Sequence, residues 1–142
     1  MPAKAQAEWK GDLKSGSGTF SAGDGGIAGE FSYKSRFEDG PGANPEQLIG
    51  AAHASCFSMA LSGALGEAGH PVDSVKTDAT VTLRIADGAP TITKIELVTV
   101  GKVPGIDQAA FEEAANGAKA GCPVSRALTG VPEVTLSATL EN

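Results

Sequence analysis

Long apolar runs are missing from this chain of 142 residues. No uninterrupted run approaches the ~20 residues that a bilayer-spanning helix needs, so no membrane contact is expected. Met1 to Lys10 carry no apolar signal-peptide core, so a cytoplasmic chain is expected rather than an exported one. Cysteine is nearly absent: Cys56 and Cys122 are the only two. Two thiols exclude a multi-bridge secreted scaffold. They form no C-x-x-C, and His53 and His70 complete no ligand spacing with them, so no zinc, and no other metal or cofactor, is expected. Positive charge is in deficit, with Lys+Arg 11 against Asp+Glu 17. A net charge of −6 argues against nucleic-acid or anionic-membrane partners, which need a basic surface.

What is present reads as one globular domain over residues 1–142. The length suits roughly one domain of ~150 residues. Hydrophobic residues at 41% and charged residues at 20% leave no case for disorder. Glycine, 19 residues, collects in turn clusters such as Ser15-Gly16-Ser17-Gly18 and Gly23-Asp24-Gly25-Gly26. Before these, Ala5, Ala7 and Trp9 alternate with polar residues as in a strand. A further strand is expected from about Ala28 to Phe37, with Phe31, Tyr33 and Phe37 on one face and Glu30, Lys34 and Arg36 on the other.

Asn44-Pro45-Glu46-Gln47 is a helix start: an Asn cap, proline at the first helical position and Gln at the third. The pattern runs to about Ala68, some 36 Å of helix at 1.5 Å per residue. With His53 neutral, no full charge lies between Leu48 and Leu65. A helix apolar or small all round is buried on most sides, and a chain this short can hardly surround it. A second copy of the chain is expected to cover part of it.

After Pro71 the period returns to two. Val75 to Ile85, the turn Asp87-Gly88-Ala89-Pro90 and Thr91 to Val100 predict a hairpin. The second run slips phase between Leu97 and Val98, which points to a bulge or to burial of both faces. Asp107 to Lys119 predicts another helix, and Val134 to Leu140 a last strand. The order strands, long buried helix, strands, helix, strand is an α+β fold.

Five residues are candidates for chemistry. Cys56 sits in the middle of the apolar helix, beyond reach of the end-turn dipole. Burial alone would make its thiol inert, so a nucleophilic Cys56 needs a cation from elsewhere. Arg36 is the candidate, and Glu46 in the first helical turn could fix its direction. Arg36 could equally be a solvated surface charge, and Glu46 an acid that complements the helix dipole. Cys122, with Pro123 behind it, reads as the N-cap of a short helix, where free N–H groups favour a thiolate. His53 lies one turn before Cys56 on nearly the same face. It could be a buried core histidine or half of a Cys–His hydrolase dyad.

The run Asn44-Pro45-Glu46-Gln47-Leu48-Ile49-Gly50-Ala51-Ala52-His53-Ala54-Ser55-Cys56-Phe57-Ser58-Met59-Ala60-Leu61 resembles the signature helix of the OsmC/Ohr family, the osmotically inducible and organic-hydroperoxide-resistance proteins. Cys122-Pro123-Val124-Ser125-Arg126-Ala127-Leu128 resembles the family's second cysteine motif, and Arg36-Phe37-Glu38 falls where the family keeps an arginine. The wording is that of the OsmC branch. The resemblance implies an intertwined homodimer with active sites at its interface, acting as a thiol-dependent peroxidase on organic hydroperoxides. It implies Cys56 as the peroxidatic and Cys122 as the resolving cysteine, with Arg36 activating Cys56 and Glu46 holding Arg36. A dithiol or a lipoylated protein would be the reductant. Two other readings stay open: a non-enzymatic redox-sensing or ligand-binding dimer using the same apolar groove, and the hydrolase.

Overall fold

The computed structural model describes residues 1–142, and the chain divides into two compact units, Met1–Leu48 and Ile49–Asn142. Its elements, strands and helices in mixed order, confirm the α+β class.

The first unit holds an antiparallel meander of β1 (Ala5–Lys10), β2 (Ser17–Ala22) and β3 (Ile27–Phe31). Gly18 pairs with Trp9 on one side and Phe31 on the other. The two rings close over it, with centroids 5.4 Å apart. A Cβ at Gly18 would overlap the Phe31 ring, so glycine is required there by close approach.

The strand expected to reach Phe37 stops at Phe31, and Arg36 lies on a helix instead. Ser32 caps α1 (Tyr33–Phe37). Its Oγ accepts the Ser35 N–H at 3.1 Å, and Ser35 Oγ accepts the Ser32 N–H at 2.9 Å. This reciprocal box satisfies two backbone donors that an extended chain would leave open. Tyr33 and Phe37, spaced one helical turn apart, meet at 4.9 Å between centroids. Their odd numbering mimics a strand face.

The loop after α1 returns to β3 through an N–H of Ala43 on the Glu30 carbonyl at 2.9 Å. The expected start of α2 (Pro45–Glu67) then follows. Asn44 Oδ1 accepts the Gln47 N–H at 2.9 Å, and Gln47 Oε1 accepts the Asn44 N–H at 3.2 Å. Asn44 Nδ2 also donates to the Ser35 carbonyl at 3.1 Å, tying the cap of α2 to α1.

The second unit is a three-stranded sheet in the order β4 (Ser74–Ala86), β5 (Ala89–Lys102), β6 (Glu133–Leu140). β4 and β5 form the expected hairpin. Asp87 and Gly88, with φ of 51° and 79°, make its turn. β6 lies parallel to β5, and α3 (Gln108–Gly121) with α4 (Pro123–Ala127) bridges them, as a parallel pair requires. The core gathers Phe57, Leu61 and Leu65 of α2, Ile95 and Leu97 of β5, and Phe111, Ala115 and Ala118 of α3. Each fully buried large side chain contributes on the order of 2 kcal/mol.

The bulge is real but lies upstream of the phase slip. Thr82 pairs with Lys94 and Leu83 with Ile92, leaving Thr93 as the extra residue. Beyond it the inward positions stay odd: Ile95, Leu97, Thr99 and Gly101 are all buried. The slip arises because Thr99 takes an inward place. Its hydroxyl is satisfied by Thr77 Oγ1 at 3.0 Å, and Thr77 accepts from Ser58 Oγ of α2 at 2.8 Å.

The single chain buries one stripe of α2, through Gly50, His53, Phe57, Leu61 and Leu65. Elsewhere the helix, uncharged from Leu48 to Leu65, is half-buried or exposed over this stretch, and Met59 is 77% exposed. One chain alone thus leaves much of α2 uncovered, as expected of a chain too short to surround it. By length and composition α2 could also cross a membrane, contrary to the expectation drawn from uninterrupted runs. Its buried stripe belongs to the core of the second unit, the usual place of such a helix in a protein interior.

Candidate active site

Arg36 and Glu46, expected as a pair from sequence, meet in the first unit. Arg36 Nη2 lies 2.7 Å and Nε 3.2 Å from the same oxygen, Glu46 Oε1. Glu46 is buried while the Arg36 side chain is 37% exposed. One edge of the guanidinium is thus committed to a buried carboxylate. Its Nη1 remains for another acceptor, and the charge itself is kept.

Cys56 and Cys122 are both free thiols in the second unit, and each enters the other's titration. Cys56 is partly exposed on α2; Cys122 is 1% exposed. Burial pushes the Cys56 thiol up. The Val124 N–H opposes this, and Cys122 adds to the rise by hydrogen bonding and charge.

Cys122 is the N-cap of α4, as expected. Its own burial acts upward, but the Ser125 hydroxyl and N–H, with the Cys56 thiol and the Val124 N–H, hold it below the ordinary thiol value. The Ser125 N–H reaches Sγ at 3.3 Å, and Sγ and Ser125 Oγ are 3.0 Å apart. A five-residue helix has little dipole, so these direct hydrogen bonds carry the effect.

His53 is fully buried, and its bond is not to Cys56. Nε2 lies 2.7 Å from Ser125 Oγ, and Nδ1 has no partner. The hydrolase reading, which needs a Cys56–His53 dyad, loses its geometry. Ser125 was the residue that sequence reasoning passed over. Its signal was its place three residues after an N-cap cysteine, where a capping side chain meets the backbone.

Taken together, the second unit offers one reachable thiol, one sealed thiol held toward ionisation, and a hydroxyl and imidazole in line behind it. Such a pair can pass through sulfenic acid to a disulfide and back. No three His, Cys, Asp or Glu side chains converge to hold a metal.

Comparison with known proteins gives the chain its family. Residues 38–137 match the family model described as OsmC-like protein. The chain is 49% identical to Peroxiredoxin OsmC of Escherichia coli K12 over 98% of its own length and 96% of that protein. It is 32% identical to the organic hydroperoxide resistance protein OhrB of Bacillus subtilis over 67% of its length and 68% of that protein. The crystal structure of OhrB superposes with a TM-score of 0.69 at 25% identity, covering 97% of this chain and 98% of that one. On its match to the family model and its near-full-length likeness to that peroxiredoxin, this chain belongs to the OsmC family.

Proposed function

We propose that this chain is a single OsmC-like domain that works as a thiol-dependent peroxidase, reducing organic hydroperoxides through Cys56 and Cys122. The observation that carries the reading is the asymmetry of the two neighbouring thiols. Cys56 can be reached from outside; Cys122 cannot, yet it is the one already held toward the thiolate. A peroxide must meet the reachable sulfur, and the sealed sulfur is set to attack whatever forms there.

In the first step the Cys56 thiolate attacks one peroxide oxygen. The O–O bond breaks, alcohol leaves with a proton, and Cys56 becomes a sulfenic acid. Cys122 then displaces the sulfenic hydroxyl as water and closes a disulfide, which protects Cys56 from further oxidation. A dithiol or a lipoylated protein reopens the bond by exchange. Such a cycle suits a reducing compartment, so we assign the chain to the cytoplasm.

Arg36, in this proposal, supplies the cation that burial of Cys56 demands and orients the peroxide, while Glu46 holds it. Their close contact supports the second part. The acting form is a homodimer with active sites at its interface. The exposed apolar face of α2 supports this, with a shallow hollow beside it lined by Ser58, Met59, Ser62, Gly63, Val72 and Val75. Light scattering at micromolar concentration is expected to give about twice the chain mass of 14.2 kDa; a folded monomer would remove the dimer from the proposal.

The experiment for the activity is steady-state loss of an organic hydroperoxide with a small dithiol as reductant. Sustained turnover is expected. Oxidation of the two thiols without turnover would make the chain a redox sensor instead.

A further inference from the structure

We propose that Ser125 and His53 carry the proton of Cys122 as the disulfide closes and reopens. The inference rests on the peroxidase reading of the two cysteines, and it deepens the resolving step.

Cys122 faces a physical difficulty. Its sulfur must lose a proton to attack the Cys56 sulfenic acid, yet the residue is only 1% exposed. The groups around it supply the alternative. The Cys122 thiol donates to Ser125 Oγ at 3.0 Å, and Ser125 Oγ lies 2.7 Å from His53 Nε2. With the thiol protonated, the line runs S–H to Oγ, O–H to Nε2, and the imidazole proton sits on Nδ1.

That Nδ1 is fully buried with no partner. A histidine whose second nitrogen is bonded to a carbonyl or carboxylate is locked in one tautomer. This one is not locked, so its proton can follow the state of Cys122.

The step balances within the site. The Cys122 proton moves to Ser125 Oγ as the serine's own proton moves to Nε2. The sulfur attacks the Cys56 sulfur, an S–S bond forms, and the S–O bond breaks. The departing hydroxide takes back the proton that His53 holds and leaves as water. When a dithiol attacks the disulfide at Cys56, the proton that its attacking thiol loses passes to His53 and runs back along the line to the departing Cys122 thiolate.

The titratable groups facing the line are the two cysteines. No Asp, Glu, Lys or Arg pairs with His53, Ser125 or either thiol. Arg126 of α4 is exposed, and Lys119 at the end of α3 is half-buried without an ion pair. Burial holds His53 below the ordinary histidine range, so at neutral pH it is uncharged and able to accept. His53 never touches a reacting sulfur, so it is a positioning and relay residue; Ser125 touches Cys122 directly.

The test compares the unsubstituted chain with His53→Gln, Ser125→Ala and Ser125→Thr. Reduced protein is mixed with one equivalent of cumene hydroperoxide, sulfenic acid is trapped with dimedone, and disulfide closure is followed by quenched mass measurement. His53→Gln and Ser125→Ala are expected to close the disulfide at least about tenfold more slowly at pH 7, within the range that general acid–base help supplies. Ser125→Thr, which keeps the hydroxyl, is expected to restore most of the rate.

The pH profile separates relay from mere packing. Closure in the unsubstituted chain should slow as pH falls and His53 becomes charged. In His53→Gln that acid limb should vanish, and closure should instead climb with pH as the bare thiol ionises. A further readout needs no peroxide: in a Cys56→Ser chain, the thiolate absorbance of Cys122 should appear at higher pH once Ser125→Ala is added. Sulfenic acid that forms normally, with closing rates and pH profiles unchanged in both variants, would overturn the relay. Failure of the unsubstituted chain to form sulfenic acid at Cys56 would overturn the peroxidase reading instead, and an unmoved thiolate absorbance would then overturn the Ser125 contact on its own.

Discussion

Replacing Cys56 by serine is expected to bring hydroperoxide turnover down to that of the dithiol alone. A serine hydroxyl is not ionised at neutral pH and is a poor nucleophile toward oxygen, so no later step can begin. Replacing Cys122 has a different signature. With the resolving sulfur gone, Cys56 should react once, remain as the sulfenic acid and pass to the sulfinic acid under excess peroxide. Intact mass separates the two: the Cys56→Ser chain stays unoxidised, and the Cys122→Ser chain gains one oxygen, then a second. Full recycling by the Cys56 variant would reverse the two roles. The thiol directions make this test sharp. In the isolated chain it is Cys122, not Cys56, that is held below the ordinary thiol value. Accessibility assigns the first attack to Cys56, and only the variants show whether accessibility outweighs ionisation.

Loss of Arg36 should have the next largest effect. Burial raises the Cys56 thiol, and neither Cys122 nor a helix end reverses this. The proposed cycle calls for a cation, and arginine stays charged when partly desolvated. Arg36→Ala is expected to slow alkylation of Cys56 at pH 7 about tenfold, which is about 1.4 kcal/mol. It should slow peroxide attack by at least as much. The measurement is the pH profile of iodoacetamide alkylation in a Cys122→Ser background, which removes the second thiol. Lysine should restore only part of the rate. Arg36 spends Nε and Nη2 on a single oxygen of Glu46 and keeps Nη1, whereas one ammonium cannot hold the carboxylate and a peroxide in fixed directions. An unchanged alkylation profile would return Arg36 to an ordinary ion pair with Glu46.

Much of this was legible in the residues. The start of α2 could be read because Asn, Pro and Gln each do one local job there, and local hydrogen bonds decide it. The cap at Cys122 was legible for the same reason, since proline at 123 leaves few other conformations. The Arg36–Glu46 pair was reachable from charge and chain direction alone.

What stayed hidden depended on competition between periods or on distant partners. Tyr33 and Phe37 satisfy both a two-residue and a four-residue spacing, and only the Ser32–Ser35 box tips the segment into a helix. Thr99 looked like a break in the apolar phase, because its partners Thr77 and Ser58 sit on other elements. The bond between His53 and Ser125 joins residues far apart in sequence, and no pattern along either helix announces it. The outer face of α2 resembled a fully buried helix in composition, although one chain covers only a stripe of it.

The most direct measurement of the two-cysteine cycle is a single turnover on the reduced, unsubstituted chain. One equivalent of cumene hydroperoxide is added without reductant, and the intact mass and the peptide map are read. The cycle predicts one alcohol released, a mass lower by two hydrogens, and a peptide in which Cys56 is joined to Cys122. A chain that consumes the peroxide but ends with a stable added oxygen and a free Cys122, or that leaves the peroxide untouched, would contradict it.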